Sequence, residues 1–368
     1  MRIAQIAPPL ETVPPSRYGG TERVVADLTE QLVRRGHEVT LFASGDSPTP
    51  ARLVPIVDQA LWRHPRYRDF APFLAIALGK LAREADRYDI VHNHLDFVGF
   101  PLARCLPCPV VSTLHGRLDL PEAVPLYDEF GDVPLVSISD AQRRPVPHAN
   151  WVANVPHGID VESFTFSPRP EPYLAFLGRI APDKGLDTAI RAARRAGMPL
   201  KIGARLPLGM DDDPNARADR AYYEEIIKPL LREPGIELIG EVGGGDKDRL
   251  LGNAVALLFP IRWPEPFGLV MVEALACGTP VVALREGSVP EVIEHGATGL
   301  ICDDEDEMVR AIGHLGEIDR VRCRAAAEWR FSAAKMAERY ERVYEQLVWT
   351  TRTGRARARN AGEAVAAR

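Results

Sequence analysis

Short apolar runs alternate with helix-length amphipathic stretches from the first residues onward, the pattern of βαβ units that close into a parallel sheet. In the first half, strand-length runs fall at Arg2–Ala7, Glu38–Ala43, Ile90–His92, Val110–Leu114 and Leu135–Ile138. The clearest helix spans Thr21–Arg35. Thr21 can cap it, Val24, Val25, Leu28, Leu32 and Val33 recur on one face, and Arg34-Arg35-Gly36 closes it with positive charge and a C-terminal glycine. After Trp151-Val152-Ala153-Asn154 the chain becomes proline-dense, ending in Ser167-Pro168-Arg169-Pro170-Glu171-Pro172, a linker signal. Strands restart at Tyr173–Leu177, Pro199–Gly203, Ile236–Ile239, Ala254–Phe259 and Pro280–Ala283, each followed by a helix-length segment. The pattern predicts two α/β domains, 1–165 and 171–332, with a helix at 333–350 packing back on the first. Residues 352–368, rich in Ala, Arg and Gly, read as a frayed tail.

Composition narrows the partners. A length of 368 residues matches two domains at about 150 each. Forty-five Lys and Arg against 51 Asp and Glu leave a net charge of −6, which argues against a surface built to coat nucleic acid. Five cysteines, few and odd in number, fit reduced thiols rather than a disulfide framework, so a cytoplasmic protein is expected. No run of about 18 apolar residues offers a transmembrane segment, and the apolar run at the start is too short for a signal peptide.

Three stretches carry chemistry. Tyr18-Gly19-Gly20-Thr21 joins the first strand to the first helix, where paired glycines and a helix N-terminus suit an anion. A Gly-x-Gly-x-x-Gly dinucleotide fingerprint is lacking there, so a dehydrogenase is disfavoured. Gly178-Arg179 through Lys184-Gly185 follows the first strand of the second half, and its two cations are placed to converge on a diphosphate. Glu265-Pro266-Phe267-Gly268-Leu269 through Glu273 follows a later strand, with Gly268 opening a helix Leu269–Ala276. Glu265 then sits over the helix start and Glu273 about two turns in, too far apart for a carboxylate dyad. Each can hold a vicinal diol, while the N–H groups of Gly268 and Leu269 meet a phosphate between them.

Taken together, Glu265-x7-Glu273, Gly178-Arg179-x4-Lys184-Gly185, Gly19-Gly20 and Leu114-His115-Gly116 resemble glycosyltransferase family 4, over residues 1–348. Tyr18-Gly-Gly-Thr-Glu-Arg, Ile90-Val-His-Asn-His-Leu-Asp and Trp263-Pro-Glu-Pro-Phe-Gly resemble more closely a subgroup around the glycosyltransferase of avilamycin assembly. The resemblance implies an α/β GT-B fold, two Rossmann-like doubly wound domains facing across a cleft. It implies that Glu273 holds the ribose, Glu265 the donor sugar, Arg179 and Lys184 the diphosphate, and that the Gly19-Gly20 loop closes on the phosphates. Gly240-Glu241-Val242 would frame the base, usually uracil, with Phe267, Gly268 and Leu269 lining the donor and His115 beside the anomeric carbon. His157-Gly158-Ile159-Asp160 stands where many relatives carry Asn-Gly-Val-Asp, and His157 reads as a hinge residue.

The implied reaction is a retaining transfer of a hexose-type sugar from a nucleotide-sugar donor, a UDP-sugar, to a small-molecule, glycan or lipid-linked hydroxyl. Cations and a helix N-terminus can stabilise the departing diphosphate without a metal or other cofactor. A nucleotide-sugar 2-epimerase, a non-catalytic sugar-nucleotide binder and a pyridoxal-phosphate phosphorylase share the architecture and are the competing readings. His92-Asn93-His94 has no Cys or carboxylate at ligand spacing and reads as crevice lining or plain structure, and Asp211-Asp212-Asp213 lacks the spacing of a calcium loop and reads as a solvated turn. Cys105-x-x-Cys108 resembles a redox pair but lacks the βα context of a thioredoxin helix, with Pro109 following at once, and reads as packing thiols.

Overall fold

The computed structural model describes residues 1–16, 19–67, 69–207 and 214–366; Tyr18 and Asp211-Asp212-Asp213 lie outside the described residues. Two all-parallel sheets form. The first contains β1 Arg2–Ile6, β2 Glu38–Ala43, β3 Arg52–Pro55, β4 Ile90–Asn93, β5 Val110–Thr113, β6 Leu135–Ser137 and β7 Trp151–Asn154, in the order β3-β2-β1-β4-β5-β6-β7. The second contains β8 Leu174–Arg179, β9 Leu200–Arg205, β10 Ile236–Gly240, β11 Ala256–Phe259, β12 Val281–Leu284 and β13 Gly299–Cys302, in the order β10-β9-β8-β11-β12-β13. Strands buried on both faces explain the near-continuous apolar runs.

Three strands are absent from the sequence reading: β3, β7 and β13. All three are sheet edges, four residues long and paired on one side only, so a weaker apolar signal suffices for them. The first helix begins one residue earlier than expected, at Gly20, with Gly19 as its cap and no side-chain cap bond. Thr21 is therefore inside the first turn rather than the cap. The turn closes before it because Gly19 lies against Pro15, where a Cβ would come within 2.8 Å of the Pro15 Cβ.

The chain crosses between the sheets twice, at 155–173 and near Ser332, and the crossings run side by side. Ile159 N–H donates to the Phe331 carbonyl at 2.9 Å, and Ala333 N–H donates to the Ile159 carbonyl at 2.7 Å. Gly158 is required at this contact, since a Cβ there would meet the Ser332 carbonyl at 2.5 Å. Beyond it the helix Ala333–Ala366 returns to the first sheet, where Met336, Tyr340 and Tyr344 pack among Val24, Leu28 and Ile90. The same helix runs through residues 352–366, for which the composition suggested a frayed tail. Alanine and arginine are both strong helix formers. A second tie between the domains is Glu291, whose carboxylate accepts from the backbone N–H groups of Asp140 and Ala141, both at 2.7 Å. No helix among the described residues is long and apolar enough to cross a membrane.

Candidate active site

In the second sheet β8 to β10 run outward on one side and β11 to β13 on the other, so the loops after β8 and β11 part at their C-terminal ends and leave a crevice. The first sheet has the same reversal between β1 and β4. The functional stretches picked out from sequence follow β1, β8 and β11, the strands that flank these two openings.

After β8 the turn Pro182–Lys184 ends at Gly185, whose φ of 68° opens the helix Leu186–Arg195. A Cβ on Gly185 would lie 2.1 Å from the Pro260 carbonyl oxygen, so the β8 loop rests directly on the chain leaving β11. That contact brings Lys184 Nζ to 2.5 Å from Glu265 Oε2, both side chains largely buried at 18% and 14% exposure. Lys184 also lies over the Trp263 ring, 5.1 Å from its centroid. From the first domain, Arg117 approaches the same ring at 5.4 Å. Trp263 thus stands between a cation from each domain.

Glu265 is held from behind by the segment after β12. Ser288 N–H donates to the Glu265 carbonyl and the Ser288 hydroxyl donates to the Phe267 carbonyl, both at 2.9 Å. Gly268, with φ 77°, then caps the helix Leu269–Ala276, whose bounds match the sequence expectation. Glu273, two turns in and buried, pairs with Lys247. Lys247 is carried by the helix Gly244–Gly252, which follows the Gly240-Glu241-Val242 turn at the end of β10. Val242 packs beneath the sheet against Gly203, and Gly240 adopts φ 86°. The two acids of the motif are therefore separate, each closed by its own lysine.

Arg179 and Lys184 do not share a partner. The Arg179 guanidinium turns to Asp219 at 2.9 Å and to Asp183 of its own turn at 3.7 Å, and its side chain is 42% exposed. Phe267 is buried rather than open to the crevice: its ring meets His157 at 5.0 Å and Phe331 at 5.9 Å. What this residue can present to a ligand is backbone. Leu269 reaches across the cleft, since a Cβ on Gly20 would come within 3.4 Å of its Cδ1. The N-terminal ends of the two helices, one from each domain, are thereby brought together, and free N–H groups and positive dipole ends face one region.

Glu22 lies in the first turn of the opening helix, and a Cβ on Gly19 would be 3.1 Å from its Oε2. Burial, with a smaller push from Glu11, raises its carboxyl from the ordinary 4.5 to about 7. The folded state therefore keeps a proton that the unfolded chain has already released, and this group lowers stability as pH rises through that window. In denaturant titrations, the stability of Glu22→Gln relative to wild type is expected to grow by up to about 3 kcal/mol between pH 4.5 and 7.5. A difference that stays constant over that range would show that Glu22 titrates normally.

His115, expected beside a sugar's reacting carbon, follows β5 in the first domain. Both of its ring nitrogens are engaged: Nε2 lies 2.9 Å from His94 Nδ1, and Nδ1 lies 3.4 Å from His157 Nε2. His92, next along β4, is turned away and bonded to Tyr344 and Thr113, each at 2.7 Å. Ser139 caps the helix Asp140–Arg143 by accepting from the Gln142 N–H at 3.0 Å. Of the two neighbouring cysteines, only Cys108 is buried, and Cys105 is exposed.

Four contributors escaped sequence reasoning: Lys247, Arg117, Gly287 with Ser288, and the pairing of His115 with His94 and His157. Lys247 carries a readable signal, a glycine run followed by a lysine at a helix start. Arg117 and Ser288 carry none, because only the meeting of distant loops gives them partners.

Comparison with known proteins bears on the family and the fold. The family model Glycosyltransferase Family 4 matches residues 18–163, and Glycosyl transferases group 1 matches residues 162–328. The D-inositol 3-phosphate glycosyltransferase of Mycolicibacterium smegmatis is 27% identical, covering 78% of this chain and 76% of its own. Among solved structures, AviGT4, a glycosyltransferase involved in avilamycin A biosynthesis, superposes with a TM-score of 0.70 at 26% identity, covering 94% of this chain and 98% of that one. The Anabaena protein HepE, solved with UDP and glucose, reaches a TM-score of 0.69 at 20% identity, with 94% of this chain and 100% of that one covered, a likeness of fold. The chain is a glycosyltransferase of the family 4 type, built as GT-B: two Rossmann-like domains facing across a cleft.

Proposed function

We propose that the enzyme moves a hexose-type sugar from a nucleotide-sugar donor, a UDP-sugar, to an acceptor hydroxyl with retention of configuration, and that it works in the cytoplasm. The observation that carries this reading is the contact of Lys184 with Glu265 at the opening beside β8 and β11, across from the Gly20 helix end of the other domain. A cation, a carboxylate and two helix N-termini there suit a diphosphate joined to a polyol.

In this reading Lys184 gives up Glu265 when a diphosphate arrives, and Glu265 turns its oxygens to the donor sugar. Glu273 takes the ribose, with the Gly240-Glu241-Val242 turn beside the base. The bond from the anomeric carbon to phosphate oxygen breaks as the bond to the acceptor oxygen forms on the same face. The acceptor's proton passes to an oxygen of the departing diphosphate. Lys184, Arg179, Arg117 and the helix ends supply the positive charge that the leaving group needs, so the reading calls for no metal.

A panel of nucleotide sugars in thermal-shift format tests it. A donor at a hundred times its dissociation constant adds about 2.7 kcal/mol to stability, so one or more UDP-hexoses should raise the melting temperature by several degrees, and the parent sugar should not. A panel with no responding member would overturn the reading. With the donor in hand, an α-linked product from an α-linked donor, read by the anomeric coupling in proton NMR, supports retention. A β-linked product would refute it.

A further inference from the structure

Three imidazoles line up behind the first-domain side of the cleft. His94 follows β4, His115 follows β5, and His157 stands in the crossing between the sheets. At the inner end His94 Nε2 lies 3.1 Å from Gln5 Oε1, and the contacts then run from His94 Nδ1 to His115 Nε2 and from His115 Nδ1 to His157 Nε2. At the outer end His157 Nδ1 is buried with no hydrogen-bond partner among the described residues. An amide oxygen only accepts, so His94 Nε2 carries the proton and its Nδ1 is a lone pair. His115 Nε2 must then donate to it, leaving His115 Nδ1 as an acceptor for His157 Nε2–H. With the Gln5 amide turned this way, its own Nε2 left buried without a partner, polarity runs one way along the row; the opposite turn of the amide would reverse every bond, and histidine NMR reads which holds. Burial pushes all three rings below the ordinary 6.5, His115 to about 3, so each is neutral at physiological pH.

We propose that His94 and His157 are positioning residues, forming a one-directional hydrogen-bonded row that locks His115 as a neutral Nε2–H imidazole in a fixed plane beside the donor sugar. The proposal rests on the transferase reading and on the place beside the anomeric carbon that the family resemblance implies for His115, and it assigns that ring a duty other than proton transfer, because neither nitrogen is open. An oxocarbenium-like sugar carries positive charge in the transition state, and a neutral ring there costs nothing, whereas an imidazolium would repel it. Freed from the row, His115 could rotate into solvent and take a proton near its ordinary pKa. The unpaired His157 Nδ1 supports a functional rather than a stabilising duty, since a buried acceptor without a partner lowers stability. The other titratable groups packed against the row are Asp96, whose carboxylate faces the His115 backbone N–H at 3.4 Å, and His92, with Tyr340 and Tyr344 behind it.

Long-range proton–nitrogen NMR on the full chain labelled at histidine tests the row without reference to activity. From about pH 8 to about pH 5, His94, His115 and His157 should all show the neutral Nε2–H pattern. A protonated ring, or an Nδ1–H tautomer at His94 or His115, would overturn the proposal. His157→Phe should melt near the wild-type temperature, since it trades one unpaired buried nitrogen for another, yet its kcat should fall about fourfold from pH 8 to pH 6, the loss of neutral imidazole for a group of ordinary pKa, where the wild type stays flat, with the donor KM little changed. His157→Gln, whose longer amide can still donate to His115 Nδ1 from near the place of the lost Nε2, should restore the flat profile. Wild-type pH profiles in both His157→Phe and His94→Phe would also overturn it, while leaving the transferase reading intact. If no nucleotide sugar proves to be a substrate, that reading fails and the NMR pattern still decides whether the row exists.

Discussion

Lys184→Ala is expected to lower turnover by about 10²-fold or more, equivalent to roughly 2.7 kcal/mol of transition-state stabilisation. The reason is geometric as well as electrostatic. The ammonium is held beside Trp263 and against Glu265 in a largely buried site, where a charge acts with less screening than at an open surface. The same variant should also lose some stability, because Glu265 is left without its partner. Those two losses can be separated. In Lys184→Ala combined with Glu265→Gln, no unpaired charge remains, so the melting temperature should recover while turnover does not. Recovery of both would mean that the pair is structural, and wild-type rates in Lys184→Ala alone would remove the site assignment altogether. Glu265→Ala is expected to fall by a similar factor, through loss of contact with the donor sugar.

Local signals carried far into this molecule. The bounds of β2 and of the helix Leu269–Ala276 agree with the sequence expectation residue for residue, because apolar periodicity and a glycine cap are properties of a short window. That the motifs of Lys184 and Glu265, 81 residues apart, would share one cleft was expected for a different reason, the delivery of strand-end loops to one crevice in a doubly wound sheet, but their direct ion pair was not. The limits were equally physical. Edge strands β3 and β7 are only partly buried and carry a weak apolar signal, and β13, though buried, is a four-residue run that opens on a glycine. Arg179 was expected to join Lys184 on a diphosphate; its guanidinium here rests on Asp219, a partner that nothing in a linear sequence points to. Read from sequence, the histidines have separate duties, His94 as crevice lining, His115 beside the anomeric carbon and His157 as a hinge residue, since their row exists only once β4, β5 and the crossing lie side by side.

Gly287→Ala should be strongly disruptive although it alters no charge. Gly287 adopts φ 53°, a left-handed conformation that costs an alanine about 1 to 2 kcal/mol. A methyl group there would also fall 2.3 Å from the Glu265 carbonyl oxygen and 2.4 Å from its backbone nitrogen, distances no real Cβ tolerates. Backbone on both sides must therefore move, and the segment that moves carries Glu265 on one side and Ser288 on the other. With Ser288 displaced, the hydrogen bonds that hold the Glu265 and Phe267 carbonyls are lost as well. The expected outcome is a stability loss of at least about 2 kcal/mol in denaturant titrations together with disappearance of any donor-induced rise in melting temperature. Ser288→Ala, which removes one hydroxyl bond and introduces no clash, should cost about 1 kcal/mol and keep most of the donor response. If Gly287→Ala retains a wild-type donor response, the loop over Glu265 is not part of the binding surface, and the placement of that carboxylate against the donor sugar is wrong.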